Sequence, residues 1–199
     1  MFNMIIHKIV NDILQSCTYV ISVKGSNYAF VVDCGDIEPL RTYLRCENKI
    51  VIGVLLTHAH FDHVYGLQEL LADYPHLQVY AGKETLKGIA DPDFNMSYLY
   101  DEDFILELSP EQYHVIEDGD CFDVLGINSK AIATPGHDID CVTFIIGNAI
   151  FTGDSYNPAS PVFCKWTRSD EAKAKVNEAF IKELIDKNEY EVYSGHLID

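Results

Sequence analysis

Positive charge is scarce in this chain: 14 lysines and arginines stand against 31 aspartates and glutamates in 199 residues, a formal net charge of −17. Polyanions and anionic membranes are gathered by basic clusters, so the balance argues against a nucleic-acid or membrane partner. The six cysteines, at 17, 34, 46, 121, 141 and 164, form no C-x-x-C pair. That spacing suits neither a zinc knuckle nor a disulfide framework, and reduced cytoplasmic thiols are expected. Residues 1–14 carry Asn11 and Asp12 and lack the basic start and apolar centre of a secretory leader. No apolar run approaches membrane-spanning length, and the expected compartment is the cytoplasm. Linkers, low-complexity stretches and short repeats are absent too, so residues 1–199 are expected to form a single domain. With 48% hydrophobic and 12% aromatic residues, the chain has the makings of a substantial core.

Histidine is placed with purpose. Residues 50–56 are a short, β-branched apolar run, expected to be a strand buried on both faces. It stops at Thr57, and the next six residues hold His58, His60, Asp62 and His63. Three imidazoles and a carboxylate beside a buried strand are costly to desolvate without a partner, and a divalent cation is a partner for all four. His58 and His60 share a face of an extended segment, whereas Asp62 and His63 follow the turn and suit a second ion. Only His7, His76 and His114 of the eight histidines lie outside such motifs.

Thr57-His-Ala-His-Phe-Asp-His63 resembles the signature of the metallo-β-lactamase-fold hydrolases, the superfamily that includes glyoxalase II. Three later stretches resemble the same family in its own order: Thr134-Pro-Gly-His137, Phe151-Thr-Gly-Asp154 and Ser194-Gly-His196. Val31-Val-Asp-Cys-Gly35 resembles the V-D-x-G loop in which the aspartate braces neighbouring loops, and Asp91-Pro-Asp-Phe-Asn-Met-Ser97 resembles a segment of several small hydrolases of the superfamily. The resemblance covers nearly the whole chain and implies an α/β fold, the αββα four-layer sandwich. It implies one cation on His58, His60 and His137, a second on Asp62, His63 and His196, and Asp154 between them. Zinc is the expected metal, with iron or manganese as alternatives. A hydroxide shared by two such ions would attack a carbonyl or phosphoryl centre, with Asp62 orienting its proton.

Two departures bear on the substrate. The family commonly continues its T-P-G-H loop differently from His137-Asp-Ile-Asp-Cys141, and Leu197 stands where a glycine is commoner. Antibiotic-hydrolysing members usually carry Cys or Ser near Asp154, which disfavours that activity. A helical glutathione-binding domain and a flavodoxin-like domain are not seen, which leaves glutathione thioester hydrolysis and oxygen reduction unsupported. The expectation is a dinuclear hydrolase of a small thioester, ester or lactone; the alternatives are a phosphodiesterase of the same fold and a catalytically silent metal-binding module.

The remaining elements follow from periodicity. Strands are expected at residues 5–10, 18–24 and 28–33, with a hairpin turn at Gly25-Ser26-Asn27. Asp36 is expected to cap a helix, and Leu67, Leu70, Leu71 and Tyr74 to form a second helical stripe stopped by Pro75. A strand at 77–80 and a short helix at 83–89 come next. Strands at 122–125, 127–134, 142–146, 149–152 and 191–193 complete the pattern. Ser169 is expected to cap a helix over 170–187 with a core stripe of Val176, Phe180 and Leu184. Residues 91–109 and 155–169 are long connections suited to a substrate rim, with Tyr98, Tyr100, Tyr156, Phe163 and Trp166 as its aromatics. Tyr156, two residues beyond Asp154, is a candidate proton donor to the leaving group.

Overall fold

The alternating apolar residues of the two halves of the chain build two separate sheets in the computed structural model, which describes residues 3–197. The first sheet runs β1 (Met4–Val10), β2 (Cys17–Val23), β3 (Tyr28–Val32), β4 (Ile50–Leu55), β5 (Gln78–Gly82), β6 (Tyr113–Ile116), in that spatial order. Its first three strands pair antiparallel and its last three join in parallel. The second holds β7 (Cys121–Val124), β8 (Ile127–Ala133), β9 (Val142–Ile146), β10 (Ala149–Gly153) and β11 (Glu191–Ser194), ordered β11-β10-β9-β8-β7. Only β10 and β11 are parallel there.

Side chains two apart share a face, so each strand of the first sheet feeds two apolar layers. Tyr19, Ile21, Phe30, Val32 and Leu55 meet Phe144, Ile146 and Phe151 of the second sheet. The opposite face, including Val20, Val31 and Val54, packs on Leu40 and Leu44 of α1 (Ile37–Cys46) and Leu67 and Leu70 of α3 (Leu67–Asp73). Each such leucine, fully buried, contributes ~1.5–3 kcal/mol. Shorter helices follow at α2 (Phe61–Val64), α4 (Lys83–Gly88) and α5 (Pro92–Asn95), and α6 (Glu171–Asn188) closes on the T-P-G-H loop. Gly136 permits that approach, since a Cβ there would stand 2.4 Å from the Ala174 Cα. Two mixed sheets with flanking helices make the αββα sandwich.

Four expectations are corrected. β4 is not buried on both faces throughout: Ile50 and Ile52 are exposed, and burial becomes continuous only from Gly53 to Leu55, where the strand runs into the site. Asp36 precedes α1 without capping it, because its carboxylate accepts from the Asp12 N–H and the Tyr65 hydroxyl. Asp170, not Ser169, caps α6 by accepting from the Lys173 N–H, while Ser169 Oγ donates to the His137 carbonyl. Val176 is 68% and Phe180 40% exposed; α6 turns Ala174 and Ile181 inward instead. A strand that periodicity did not reveal, β6, pairs in parallel with β5.

Candidate metal centre

The segments after β4, β8, β10 and β11 converge, and they bring together all seven of the expected His and Asp side chains. Donor atoms of His58, His60 and His137 lie within 4.8 Å of one another, as do those of Asp62, His63 and His196. The Asp154 carboxylate stands between the groups: Oδ2 lies 3.2 Å from His137 Nε2 and 3.2 Å from His196 Nε2, and Oδ1 lies 3.4 Å from His63 Nε2. Gly195 makes room for it, because a Cβ there would lie 2.2 Å from Asp154 Oδ1.

Each imidazole is oriented by an oxygen on its outer side. His58 Nδ1 lies 3.0 Å from Thr57 Oγ1, which itself donates to Asp33 and so accepts from the ring. His60 Nε2 donates to Asp138 at 2.9 Å and His63 Nδ1 to Asp33 at 2.9 Å. His137 Nδ1 donates to the Phe163 carbonyl at 2.7 Å and His196 Nδ1 to the Leu14 carbonyl at 3.0 Å. Carbonyl and carboxylate oxygens only accept, so in every ring the outer nitrogen carries a proton, and the inner one is left to ligate a cation or, without one, to take up a proton. The inner nitrogens of His60 and His137 are 3.1 Å apart. Two lone pairs at that distance repel unless a cation faces both. His58 Nε2, Asp62 Oδ2 and Asp154 Oδ1 are buried without a hydrogen-bond partner, which is costly for polar atoms outside a coordination sphere. The donor set fits divalent cations, and the oriented outer nitrogens are what metal-binding histidines require.

The charges agree. Burial pushes the Asp154 carboxyl up, yet His196, His63 and His137 hold it well below the usual range. Burial opposes protonation of His63, but Asp62 and then Asp154 raise it well above the ordinary histidine value. His196 is raised against its burial by Asp154 as well. His58 is driven down by burial and then by the neighbouring His63 and His60. A buried group of two carboxylates calls for positive charge, and protons on imidazoles answer that call when nothing else does.

Asp33 braces the site as expected. Its carboxylate accepts from the Thr57 N–H, the Thr57 hydroxyl and His63, tying the loop after β3 to both ends of the stretch from β4 to α2, and its own φ of 55° is the left-handed conformation a buried aspartate rarely adopts. Tyr19 supports the far side, its hydroxyl donating to the Ser194 carbonyl at 2.6 Å. The β1–β2 loop pairs with the His196 loop through Cys17 N–H to Gly195 O and Leu197 N–H to Gln15 O.

Two contributors were not legible in the chain. Asp138 is fully buried; besides His60 it accepts both Nε and Nη2 of Arg168, at 2.9 and 2.7 Å. Burial alone would raise its carboxyl, but His60 and Arg168 lower it from 3.8 to about 2. Arg168 also donates to the Phe94 carbonyl and lies 3.9 Å from the Phe94 ring centroid. The departure from the family's usual loop at Asp138 was the available signal; Arg168 had none beyond being one of few basic residues nearby.

Beside the cluster lies a cavity of about 420 Å³, lined by His60, Asp62, His137, Asp154 and His196 together with apolar residues from several loops. Tyr100, Phe163 and Trp166 are in its walls, joined by Met96 and Leu99 of the expected 91–109 connection and by Phe61 and Leu14 from outside the expected rim. Burial, then the nearby Asp62 charge, raises the Tyr100 phenol, which keeps it a neutral donor. Tyr98 and Tyr156 are not among the lining residues. Tyr156 lines a separate groove with Pro158 and the α6 residues Lys175 and Glu178, because the turn after Asp154, closed by Thr152 Oγ1 on the Tyr156 carbonyl, leads the chain away. That placement keeps Tyr156 out of the lining of the cavity beside the cluster.

The fold and the oriented His/Asp cluster define a metal-binding α/β sandwich. The metallo-beta-lactamase superfamily profile matches residues 11–196, and the chain belongs to that superfamily. A hydroxyacylglutathione hydrolase of Pseudoalteromonas translucida is 28% identical over 149 residues, 74% of this chain and 49% of the relative, so the chain spans about half its length. Among solved structures, the BLEG-1 B3 metallo-beta-lactamase superposes with a TM-score of 0.85 at 24% identity, over 97% of this chain and 92% of that one. TTHA1623 in a di-iron-bound form gives 0.78 at 24% identity, over 96% and 92%. Among the described residues, no helix is long and apolar enough to cross a membrane.

Proposed function

We propose that the protein is a dinuclear metal-dependent hydrolase of a small thioester, ester or lactone. The observation that carries this reading is the set of five imidazoles, each turning its inner nitrogen into one small space while a fixed oxygen holds its other nitrogen. His58, His60 and His137 would hold one divalent cation, Asp62, His63 and His196 a second, and Asp154 both. Zinc is the first choice of metal, with iron or manganese as alternatives. Such cations, when bound, supply Lewis acidity that makes water nucleophilic near neutral pH and stabilises a developing oxyanion.

The protein's own groups do the rest. Asp62 Oδ2, buried without a partner, is placed to hold the proton of the attacking water and fix its direction. The apolar walls exclude bulk water and orient the acyl group over the cluster. Tyr100 offers a neutral phenol from the same walls. The kinship with a hydroxyacylglutathione hydrolase supports thioester chemistry, and residues 1–199 are read as one domain because two sheets share one core. Phosphodiester cleavage could use the same cations, but no Lys or Arg lines the cavity to receive a phosphate.

The test is a hydrolysis panel on metal-reconstituted protein, covering thioesters, lactones, carbonyl esters, phosphodiesters, RNA and a β-lactam, with metal content measured on the same sample. Two ions per chain and turnover of carbonyl substrates are expected. Efficient cleavage of RNA or a phosphodiester with every carbonyl ester untouched would overturn the reading.

A further inference from the structure

The cavity says more about the substrate than its metal-facing floor does. Its walls come from four separate parts of the chain: Leu14 from the β1–β2 loop, Phe61 from α2, Met96, Leu99 and Tyr100 from the connection after α5, and Phe163 and Trp166 from the loop before α6. None of its lining residues is a lysine or arginine. Arg168, which holds the Asp138 side of the site, is engaged by Asp138 and by the Phe94 carbonyl and ring. Lys165 stands over the Phe163 ring, 5.9 Å from its centroid, but is itself exposed and outside the lining. A carboxylate or ammonium set against these walls, away from the His/Asp floor, would be desolvated without a partner, which is strongly unfavourable. The acidic excess of the chain opposes an anion further.

Resting on the hydrolase reading, we propose that the cavity receives a neutral hydrocarbon group, so that the protein prefers esters, thioesters or lactones with a medium-length apolar acyl or aryl part and discriminates against glutathione conjugates. Glutathione would bring two carboxylates and an ammonium to walls that offer none of them a counter-charge. A cavity of about 420 Å³ leaves room for a medium-length hydrocarbon chain with its reacting carbonyl on the floor. Unbranched, polarizable Met96 adapts to such a chain better than a branched residue would.

Two measurements test this, one without turnover. Trp166 is the chain's single tryptophan and lines the cavity, so its emission reports occupancy. Titration with n-alkyl methyl ketones should give a saturable change that tightens about fourfold per methylene until the cavity is full, while S-hexylglutathione should bind at least tenfold more weakly than the best ketone. With metal-loaded protein, kcat/KM for p-nitrophenyl esters should climb by a similar factor per methylene and then fall. Leu99→Trp, at an exposed position of the wall, should move that optimum to shorter chains. Tighter binding of S-hexylglutathione, or affinity independent of chain length, would overturn the apolar assignment whether or not the protein turns over. Chain-length-dependent ketone binding with no hydrolysis of any ester, thioester or lactone would instead overturn the hydrolytic reading and leave the apolar-ligand assignment standing.

Discussion

Replacing Arg168 with methionine keeps the apolar stem of the side chain and deletes the guanidinium. Asp138, with no exposed side-chain surface, is then left with His60 Nε2 and the Ile139 N–H as its partners. Removing one member of a buried pair costs ~3–5 kcal/mol, because the remaining charge stays desolvated. Arg168 is 23% exposed, and two donors remain, which puts the expected loss near the lower bound, ~3 kcal/mol. For a chain of this size that is a fall in Tm of roughly 6–12 °C, read by thermal or urea unfolding of metal-free protein near pH 7. The guanidinium helps to hold the Asp138 carboxyl at about 2 instead of 3.8, a difference of roughly 2 kcal/mol. A lowered carboxyl stabilises the fold fully above its unfolded pKa, and that share is lost as pH falls from about 4 towards 2. In an Asp138→Asn background there is no buried charge to strand, so Arg168→Met should cost only ~1 kcal/mol, from the Phe94 contacts. A Tm fall under ~2 °C, or an equal cost in both backgrounds, would refute the reasoning.

Three further outcomes are expected. Asp154→Ala should lower metal content at both positions, whereas His137→Ala should lower it mainly at one; elemental analysis of reconstituted protein decides, and unchanged content in Asp154→Ala would remove the residue from the centre. Asp33→Asn weakens the acceptor that orients His63 and Thr57, so metal affinity should drop roughly 10–100-fold in a competition titration with a chelator. Gly195→Ala places a methyl group against the Asp154 carboxylate; the chain should fold with a loss of ~1–3 kcal/mol and bind metal at least tenfold more weakly, and unchanged affinity would show that the loop simply moves aside.

Much of this architecture was legible because strands that bury a face must alternate and loops that bind cations must concentrate histidine and aspartate. Thr57 to His63, His137, Asp154 and His196 stood out because so many ionisable groups beside apolar strands demand a reason. What was hidden is what depends on three-dimensional pairing. Tyr113–Ile116 becomes a strand only because β5 lends it a parallel edge. The α6 stripe misled because Val176 and Phe180 have helical spacing with Leu184, while small Ala174 lets the helix settle against Gly136 with Ile181 inward. Leu14 serves the site through its carbonyl, which its side-chain type does not announce. Tyr156 looked close to the centre by counting residues from Asp154, but the turn between them carries it to another groove.

Asp138 and Arg168 tie the two properties of the site together. The carboxylate holds the outer nitrogen of His60, and so directs the inner one toward the cluster, while the guanidinium it engages is also bound to Phe94, next to the Met96–Tyr100 wall. That engagement keeps the Arg168 guanidinium out of the cavity lining. The cavity therefore faces a substrate with apolar side chains on its walls and with its only concentrated polarity at the His/Asp floor, where cations would sit. A carbonyl group is the part of a neutral ester or thioester that such a floor attracts, and a hydrocarbon chain is the part that the walls accept. An anionic handle finds its counter-charge in neither place unless it occupies the floor itself, where it would compete with the reacting carbonyl instead of assisting it.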